Sequence, residues 1–186
     1  MLELYHNNLS VNAQKVRIVL AEKNLEWTGR HLSFVKGEHL TPEFRALNPR
    51  GLVPVLVIES SVICSYLDEV FPEPPLTPKA PLERATMRLW CKLPDDVLHI
   101  ACGTVSFAIS FGEQLKKQAG DQLEERLMKM PDPARRERQR VLIEKGIEAP
   151  FFRDHIKVHD KAVAEMEAQL RKTKWLVCND YTRRMQ

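Results

Sequence analysis

The most informative segment of the sequence is Asn48-Pro49-Arg50-Gly51-Leu52-Val53-Pro54-Val55-Leu56-Val57-Ile58-Glu59-Ser60-Ser61-Val62-Ile63-Cys64-Ser65-Tyr66-Leu67. The apolar run Leu52–Val57 predicts a strand, although a proline has no N–H for a sheet ladder. Pro54 therefore belongs at a sheet edge, at a strand start or in a cis turn. Strand and helix meet at Val57 and Ile58 without a turn residue, although such connections usually take about 2–6 residues. Helical spacing of apolar residues predicts a helix buried on one face: Val62, Ile63, Tyr66, Leu67 and Val70.

The residues before this stretch predict alternating strands and helices. A short strand covers Leu2–Tyr5, and a helix capped by Ser10 or Asn12 follows it. That helix presents apolar residues at i, i+3 and i+4: Val16, Val19 and Leu20. A second strand is predicted at Glu26–Leu32. A short helix then opens at residues 41–44 and stops before Asn48-Pro49.

Proline placement predicts a boundary, because five of the twelve prolines fall between Phe71 and Leu82, where neither helix nor sheet can continue. The part before it alternates strands and helices, whereas the part after it is helical throughout. We therefore expect an α/β domain at residues 1–71, a linker at 72–81 and an all-α domain at 82–186.

Within the second half, a long helical pattern runs from Leu82 to Phe111 and should kink at Pro94. Pro131 and Pro133 predict a loop after Met128. The segment Asp160–Lys172 reads as an amphipathic helix with four residues directed inward: Ala162, Val163, Met166 and Leu170.

Composition excludes several classes of protein. The 186 residues are 44% hydrophobic and 28% charged, so neither a disordered chain nor a membrane protein is expected. A net charge of +3 is too small for a nucleic-acid footprint, and the basic run Arg135–Arg140 predicts a solvated helix face. No segment has the length of a membrane span or the pattern of a signal peptide, which predicts a cytoplasmic protein.

The four cysteines are far apart and form no C-x-x-C pair. They read as small core residues in a reducing compartment: Cys64, Cys91, Cys102 and Cys178. No cluster of His and Cys has metal-ligand spacing, so no metal is expected.

The chain resembles the glutathione transferases over nearly its whole length. The resemblance rests on residues 10–17 (Ser-Val-Asn-Ala-Gln-Lys-Val-Arg), on 48–56 and on 58–67, of which the last two together are the more specific. It implies a thioredoxin-like N-terminal domain that binds glutathione, joined by a proline-bearing linker to a helical-bundle C-terminal domain.

The resemblance also implies a glutathione site, with chemistry that can be followed. The backbone of Val53, presented by a cis bond at Pro54, would pair with the cysteine of glutathione like an added strand. Glu59 would take the γ-glutamyl ammonium, while the Ser60 hydroxyl and the helix amides would take its carboxylate. His39 is implied near the glycine carboxylate, with an ordinary loop histidine as the alternative. Leu52 stands where many members have Gln or Lys, so this position offers only backbone contacts.

Thiol activation is assigned to Ser10. A free thiol has a pKa of about 8.5, so half ionisation at pH 7 requires about 2 kcal/mol. One hydrogen bond to the charged thiolate supplies about 1.5–3 kcal/mol, and the helix dipole assists it. The family match favours Ser10 over Tyr5, the alternative hydroxyl, which lies within the predicted strand.

The second substrate would be a hydrophobic electrophile. Its candidate wall is also consistent with ordinary core residues: Leu9, Trp90, Val105, Phe107 and Phe111. Residues 84–111 look similar to bacterial β-etherases and their fungal etherase-like relatives, which implies attack of the thiolate on an aryl ether. By the same analogy, Asp95 or Asp96 would reach glutathione in the neighbouring subunit of a homodimer, although a surface Asp pair is the plainer interpretation.

Three alternatives stay open. A glutathione-dependent isomerase or a peroxidase would use the same Ser10, whereas a non-catalytic ligand-binding member would typically have lost Ser10 or the Glu59-Ser60 pair. Compared with the family, segments are expected but missing where Val57 meets Ile58 and after Thr182. The expectation is therefore that the sequence omits residues at these two joints, so that the helical domain is incomplete.

Overall fold

The computed structural model describes residues 2–56 and 59–181. Strands β1 (Leu2–His6) and β2 (Trp27–His31) pair in parallel, with Leu2 opposite Trp27 and His6 opposite His31. Helix α1 (Val11–Glu22) connects them. The predicted strand–helix–strand order is confirmed. Strand β1 ends one residue later than predicted, and β2 is one residue shorter than predicted at each end.

Helix α1 begins at Ser10 because the Ser10 side chain caps it. Ser10 has an extended backbone, and its Oγ accepts a hydrogen bond from the Ala13 N–H at 3.3 Å. This satisfies one of the amides that a helix leaves open at its first turn. The apolar face of α1 is buried against β1 and α3 (Ser60–Val70) in one cluster: Leu4, Val16, Val19, Leu20, Ile63, Cys64, Leu67 and Leu76.

The strand predicted at Leu52–Val57 does not form in the described residues. Val55 alone makes an antiparallel bridge with Tyr5, through N···O distances of 2.9 and 3.1 Å. The Val53–Pro54 peptide bond is cis, in agreement with one of the three placements expected for this proline. Because Pro54 has no N–H, the pairing at Val55 cannot extend back toward Leu52 through Pro54. The predicted joint at Val57 and Ile58 lies outside the described residues, as do the joint after Thr182 and the strand end at Val57.

The remaining elements are helical. Short 3₁₀ segments cover Glu38–Leu40, Gly120–Gln122 and Gly146–Glu148, and π-helical turns cover Pro94–Leu98 and Phe107–Phe111. The α-helices among the described residues are α2 (Pro42–Leu47), α3, α4 (Pro81–Leu93), α5 (His99–Ser106), α6 (Gly112–Ala119), α7 (Leu123–Met128), α8 (Pro133–Lys145) and α9 (Phe152–Leu170). The interruption expected at Pro94 is confirmed, and it takes the form of a π-helical turn.

The inward faces predicted for α3 and α9 are partly wrong. On α3, Ile63 and Leu67 are fully buried, but three apolar residues of the predicted face are exposed: Val62, Tyr66 and Val70. On α9, Ala162 is buried and Val163 is 62% exposed, and Leu170 is exposed as well. Helical spacing alone cannot separate a narrow buried stripe from the apolar residues that flank it. Helix α9 also starts at Phe152, eight residues before the predicted start, because Pro150 precedes it.

The proline-rich segment between α3 and α4 is anchored to the core by a buried ion pair. Lys23 Nζ lies 2.7 Å from Asp68 Oδ1 and donates to the carbonyls of Phe71 and Pro74. Asp68 also accepts hydrogen bonds from the Leu76 N–H and the Thr77 hydroxyl. Burial raises the pKa of Asp68, but these hydrogen bonds outweigh it and hold the pKa below its usual value.

The chain divides into two compact units. The first unit comprises residues 1–31, 53–98 and 161–186, and the second unit comprises 32–52 and 99–160. The second unit has its own apolar cluster of Leu40, Leu127 and Met130. Contacts therefore group the chain differently from the predicted domain boundaries at 71/72 and 81/82, which remain a prediction. None of the helices in the described residues combines the length and apolarity needed to cross a membrane.

Candidate functional site

The loop between β1 and α1 presents the Ser10 hydroxyl. The side chain of Asn7 shapes this loop, because its Oδ1 accepts a hydrogen bond from the Leu9 N–H at 2.8 Å. Ser10 is half-buried, and in the described part of the chain its Oγ makes only the accepted bond from Ala13. A hydroxyl can donate one hydrogen bond as well as accept two. The Ser10 proton is therefore available to an acceptor outside the chain.

Val53 lies beside this loop. Because the Tyr5–Val55 bridge is antiparallel, the residues before Val55 run toward the loop that follows β1. Within residues 2–56 and 59–181, no group hydrogen-bonds the backbone N–H or C=O of Val53. Its side chain is buried, at 7% exposure. Val53 thus offers a short backbone edge to which an extended peptide could be added.

The N-terminus of α3 is the third part of the candidate site. Glu59 precedes the helix with φ +72° and ψ 115°, and its side chain does not cap the helix. The first N–H used inside the helix is that of Ile63, which donates to the Glu59 carbonyl at 2.9 Å. The amides of the first turn are therefore open to an anion. Ser60 is 5% exposed at the start of this turn.

A polar cluster that the sequence analysis missed ties α3 to α1. Lys15 Nζ lies 2.9 Å from Asp95 Oδ1 and donates to Ser61 Oγ at 3.0 Å, and the Ser61 hydroxyl donates to Asp95 Oδ2 at 2.5 Å. Asp95 is thus engaged within its own chain, and Asp96 pairs with Lys92 on the surface at 3.0 Å. No local pattern could have revealed this cluster, since Lys15 and Asp95 are 80 positions apart. A contact of either aspartate with glutathione in a partner subunit remains a prediction.

In the second unit, His39 is buried at 6% exposure and packs edge-to-face against Phe34 at 4.9 Å between ring centroids. Its Nδ1 has no hydrogen-bond partner among the described residues. Burial first, and then the charges of Arg135 and Arg126, lower the pKa of His39 to about 4. The imidazole is therefore neutral at pH 7, and a contact with a glycine carboxylate would be a hydrogen bond rather than an ion pair.

Leu52 follows a turn that packs on the backbone of His39. Asn48 Nδ2 donates to the Leu52 carbonyl at 2.9 Å. Gly51 has φ +60°, and a Cβ at this position would lie 3.0 Å from the His39 carbonyl oxygen. The glycine is required both by this close approach and by its backbone conformation. The structure thus brings Leu52 and His39, which are both predicted site residues, into one local arrangement.

The residues predicted to line the second-substrate pocket fall in both units. In the first unit, Leu9 is 57% exposed, and Trp90 lines a groove of about 460 Å³ between α4 and α9. The other groove residues are mostly apolar, with charged side chains among them: Thr86, Leu89, Lys92, Leu93, Asp96, Val97 and Glu165. In the second unit, Val105, Phe107 and Phe111 are half-buried. Their shared role as an electrophile wall remains a prediction.

The described residues contain no group of three or more His, Cys, Asp and Glu side chains placed to hold a metal ion. The candidate site presents a serine hydroxyl, a free backbone edge and a helix terminus. Such groups can bind a peptide and stabilise a thiolate through hydrogen bonds.

Comparison with known proteins identifies close relatives. The sequence profile described as "Glutathione S-transferase, N-terminal domain" matches residues 9–70. Protein LigF of Sphingobium sp. (strain NBRC 103272 / SYK-6) is 32% identical over an alignment of 190 residues that covers 97% of this chain and 74% of LigF. The crystal structure of beta-etherase LigF from Sphingobium sp. strain SYK-6 superposes with a TM-score of 0.89 at 30% identity, and covers 98% of this chain and 79% of that one.

Two other relatives match a shorter part of the chain. Glutathione S-transferase 1 of Dianthus caryophyllus is 47% identical over 90 residues, which are 45% of this chain and 41% of the plant protein. Maleylacetoacetate isomerase of Pseudomonas aeruginosa is 38% identical over 96 residues, which are 47% of this chain and 45% of the isomerase. The chain thus spans less than half of these two proteins, and about three quarters of LigF.

Proposed function

Because the chain belongs to the glutathione S-transferase family, we propose that it binds glutathione and uses the Ser10 hydroxyl to activate the glutathione thiol for attack on a hydrophobic electrophile. The observation that carries the proposal is the group of unused hydrogen-bonding sites in the first unit. These are the Ser10 proton, the backbone of Val53 and the open first turn of α3. A tripeptide with a thiol, a peptide backbone and a charged γ-glutamyl end suits these three sites in turn.

Glutathione would lie along Val53 as an added strand, with its cysteine pairing with the Val53 N–H and C=O. Its γ-glutamyl carboxylate would meet the amides of the first turn of α3 and the Ser60 hydroxyl. Its γ-glutamyl ammonium would meet the Glu59 carboxylate. His39 remains the proposed contact for the glycine carboxylate, and Leu52 contributes only backbone groups.

Ser10 would act on the thiol by donating its free proton in a hydrogen bond. Half ionisation of the glutathione thiol at pH 7 requires a stabilisation of the thiolate by about 2 kcal/mol. A hydrogen bond to a charged acceptor provides about 1.5–3 kcal/mol. The dipole at the N-terminus of α1 acts in the same direction. With an aryl ether, the thiolate would attack the carbon that bears the aryloxy group. That step forms a thioether and releases the aryloxy group as a phenol once it takes up a proton.

The likeness to LigF, which is named a beta-etherase, supports an aryl ether as the second substrate. Glutathione-dependent isomerisation is the second candidate, because the relative from Pseudomonas aeruginosa is a maleylacetoacetate isomerase. A peroxidase and a non-catalytic ligand-binding role are the further alternatives. Turnover of β-aryl ethers, chlorinated aromatics, hydroperoxides and maleyl compounds with glutathione distinguishes them. Failure on every ether would exclude the etherase assignment.

Glutathione binding itself is tested by thermal unfolding with millimolar glutathione. A ligand at 100 times its dissociation constant adds about 2.7 kcal/mol to the free energy of unfolding, which gives a readily measured shift. The matched control is ophthalmic acid, in which the cysteine thiol is replaced by a methyl group. Both ligands should stabilise the chain, and the absence of any shift with either would remove the proposal.

The role of Ser10 is tested by the Ser10→Ala variant. The pH profile of glutathione conjugation should move to higher pH, because the thiol then ionises near its free pKa of about 8.5. Ser10→Thr, which keeps a hydroxyl, is the control. An unchanged turnover and pH profile in Ser10→Ala would transfer the assignment to Tyr5.

Two further expectations belong to this proposal. None of the four cysteines forms a disulfide bond in the described part of the chain, which is in keeping with the expected reducing cytoplasmic environment. A role in detoxification is expected from the family resemblance alone. A homodimer is expected from the family resemblance, and the apolar side chains exposed on α3 at Val62, Tyr66 and Val70 support such an association. Analytical ultracentrifugation of the purified chain tests the oligomeric state.

A further inference from the structure

The cluster of Lys15, Ser61 and Asp95 is closed on itself. Lys15 donates to both other residues, and the Ser61 hydroxyl accepts from Lys15 while it donates to Asp95. This arrangement uses the single proton and one lone pair of the hydroxyl, so the direction of each hydrogen bond is determined. The three residues belong to α1, to the first turn of α3 and to the π-helical turn after α4.

Water reaches the Asp95 end of the cluster more readily than the Lys15 end. The Lys15 side chain is 11% exposed, whereas the Asp95 side chain is 37% exposed. A lysine so deeply buried requires a partner, since an unpaired buried charge is costly. The hydrophobic core of the first unit does not require a lysine at this position, so its placement against α3 needs another explanation.

The first turn of α3 lacks a side-chain cap. Glu59 makes no side-chain cap bond, and a helix end without a cap frays readily. Ser61 is the second residue of this turn, and its hydroxyl is held from two sides by the ion pair. The cluster therefore supplies from a distance the rigidity that a capping residue normally provides.

We propose that Lys15 is a positioning residue that, through Ser61 and Asp95, holds the open amides of the first α3 turn in the orientation that binds the γ-glutamyl carboxylate. This inference rests on the proposed function and names how that part of the site is kept in place. Lys15 does not touch glutathione; it acts through Ser61. Binding groups need such support, because small displacements of a binding amide weaken its hydrogen bond to the ligand.

The decisive variant is Ser61→Ala. It leaves Lys15 and Asp95 in direct contact at 2.9 Å and removes only their link to α3. Its effect is measured by calorimetry with two ligands: glutathione, and the glutathione analogue in which the γ-glutamyl carboxylate is a carboxamide. We expect glutathione to bind about 10-fold more weakly to Ser61→Ala. The carboxamide analogue should bind equally well to the wild type and to Ser61→Ala, because it lacks the negative charge that the open amides recognise.

Supporting variants separate positioning from stability. Lys15→Met should reproduce the loss for glutathione, and Ser61→Thr, which keeps the hydroxyl, should restore binding. In the conjugation assay the KM for glutathione should rise while kcat stays within about 2-fold, since only ground-state binding at the γ-glutamyl end is lost. Lys117→Met is the matched control, because it breaks an exposed ion pair with Glu113, which involves no candidate site residue, and should leave both ligands unaffected.

The outcomes are distinguishable. If the wild-type chain does not bind glutathione, the proposed function fails. If the wild type binds but Ser61→Ala binds glutathione equally well, or loses affinity for both ligands to the same extent, the positioning role of Lys15 is wrong. Should Lys15→Met fail to fold, Ser61→Ala and its Ser61→Thr control still decide the question.

Discussion

Two buried lysines, Lys15 within α1 and Lys23 at its C-cap, are compensated differently. Lys23 is completely enclosed, and three acceptors use its ammonium group: Asp68 and the carbonyls of Phe71 and Pro74. Lys15 has two acceptors among the described residues, and its partner Asp95 remains 37% exposed. Lys23 thus fixes the proline-rich segment to the core, whereas Lys15 supports a candidate site.

The comparison of the Lys23 and Lys15 ion pairs indicates which buried charges have a purely structural role. A fully satisfied and fully enclosed ion pair has no capacity left for a ligand, and its loss leaves an uncompensated charge in the core. A pair that is partly exposed costs less to disturb and can be coupled to binding. Completeness of the hydrogen bonds, rather than burial of the lysine alone, therefore separates the two ends of α1.

The largest effect is expected at the enclosed end. Asp68→Asn leaves the Lys23 ammonium without its counter-charge and should lower the free energy of unfolding by about 3–5 kcal/mol. Urea denaturation at pH 7 measures this loss. A change below about 1 kcal/mol would contradict a structural role for the enclosed pair.

A second effect concerns His39, whose buried Nδ1 has no hydrogen-bond partner among the described residues. The pKa of His39 in the folded chain is about 4, whereas an unfolded histidine titrates near 6.5. Between these values the unfolded chain binds a proton that the folded chain does not, so stability is complete above pH 6.5 and falls as the pH decreases toward 4. The loss amounts to roughly 3 kcal/mol.

Comparison with His39→Gln isolates this contribution from the carboxylates that titrate in the same range. Urea denaturation of both proteins from pH 7 to pH 4 should show that the wild type loses stability more steeply than the variant. Parallel curves would mean that His39 is protonated without cost in the folded chain.

A smaller effect is expected at the start of α1. Ser10→Ala removes the cap bond to the Ala13 N–H and should cost about 1 kcal/mol of stability. Ser10→Asp, which restores a capping acceptor without a hydroxyl donor, should recover the stability but not the thiol activation. Thermal unfolding and the conjugation assay together check both parts. Recovery of both by Asp would show that the hydroxyl proton is not the active group.

The smallest effect is expected for the exposed pair. Lys92 and Asp96 are 3.0 Å apart with side chains 66% and 54% exposed, and such i,i+4 pairs contribute about 0.3–0.5 kcal/mol. Lys92→Met should therefore change stability by no more than this, and high salt should abolish the difference. A loss comparable with that of Asp68→Asn would erase the contrast between enclosed and exposed pairs.

Much of the first unit was predictable because its signals are local. The Ser10 cap, the apolar spacing of α1 and the strands on either side depend on neighbouring residues. Of the strand predicted at Leu52–Val57, the described residues form only the bridge at Val55, because Pro54 has no N–H to extend the pairing toward Leu52. The exposed positions on α3 and α9 were assigned wrongly because apolar residues also occur on protein surfaces.

Motifs and short-range periodicity were sufficient to indicate the family, the order of strands and helices in the first unit, and the residues proposed for a glutathione site. Only the tertiary structure decided which polar groups are free and which are used. Ser61 meets Lys15 across 46 positions, and Phe71 meets Lys23 across 48. Such contacts arise from the packing of α1 against the elements around it, and no local pattern in the chain encodes them. For the same reason the sequence offered His39 as a glycine-carboxylate contact or an ordinary loop histidine, and did not reveal that it is buried and neutral in the fold.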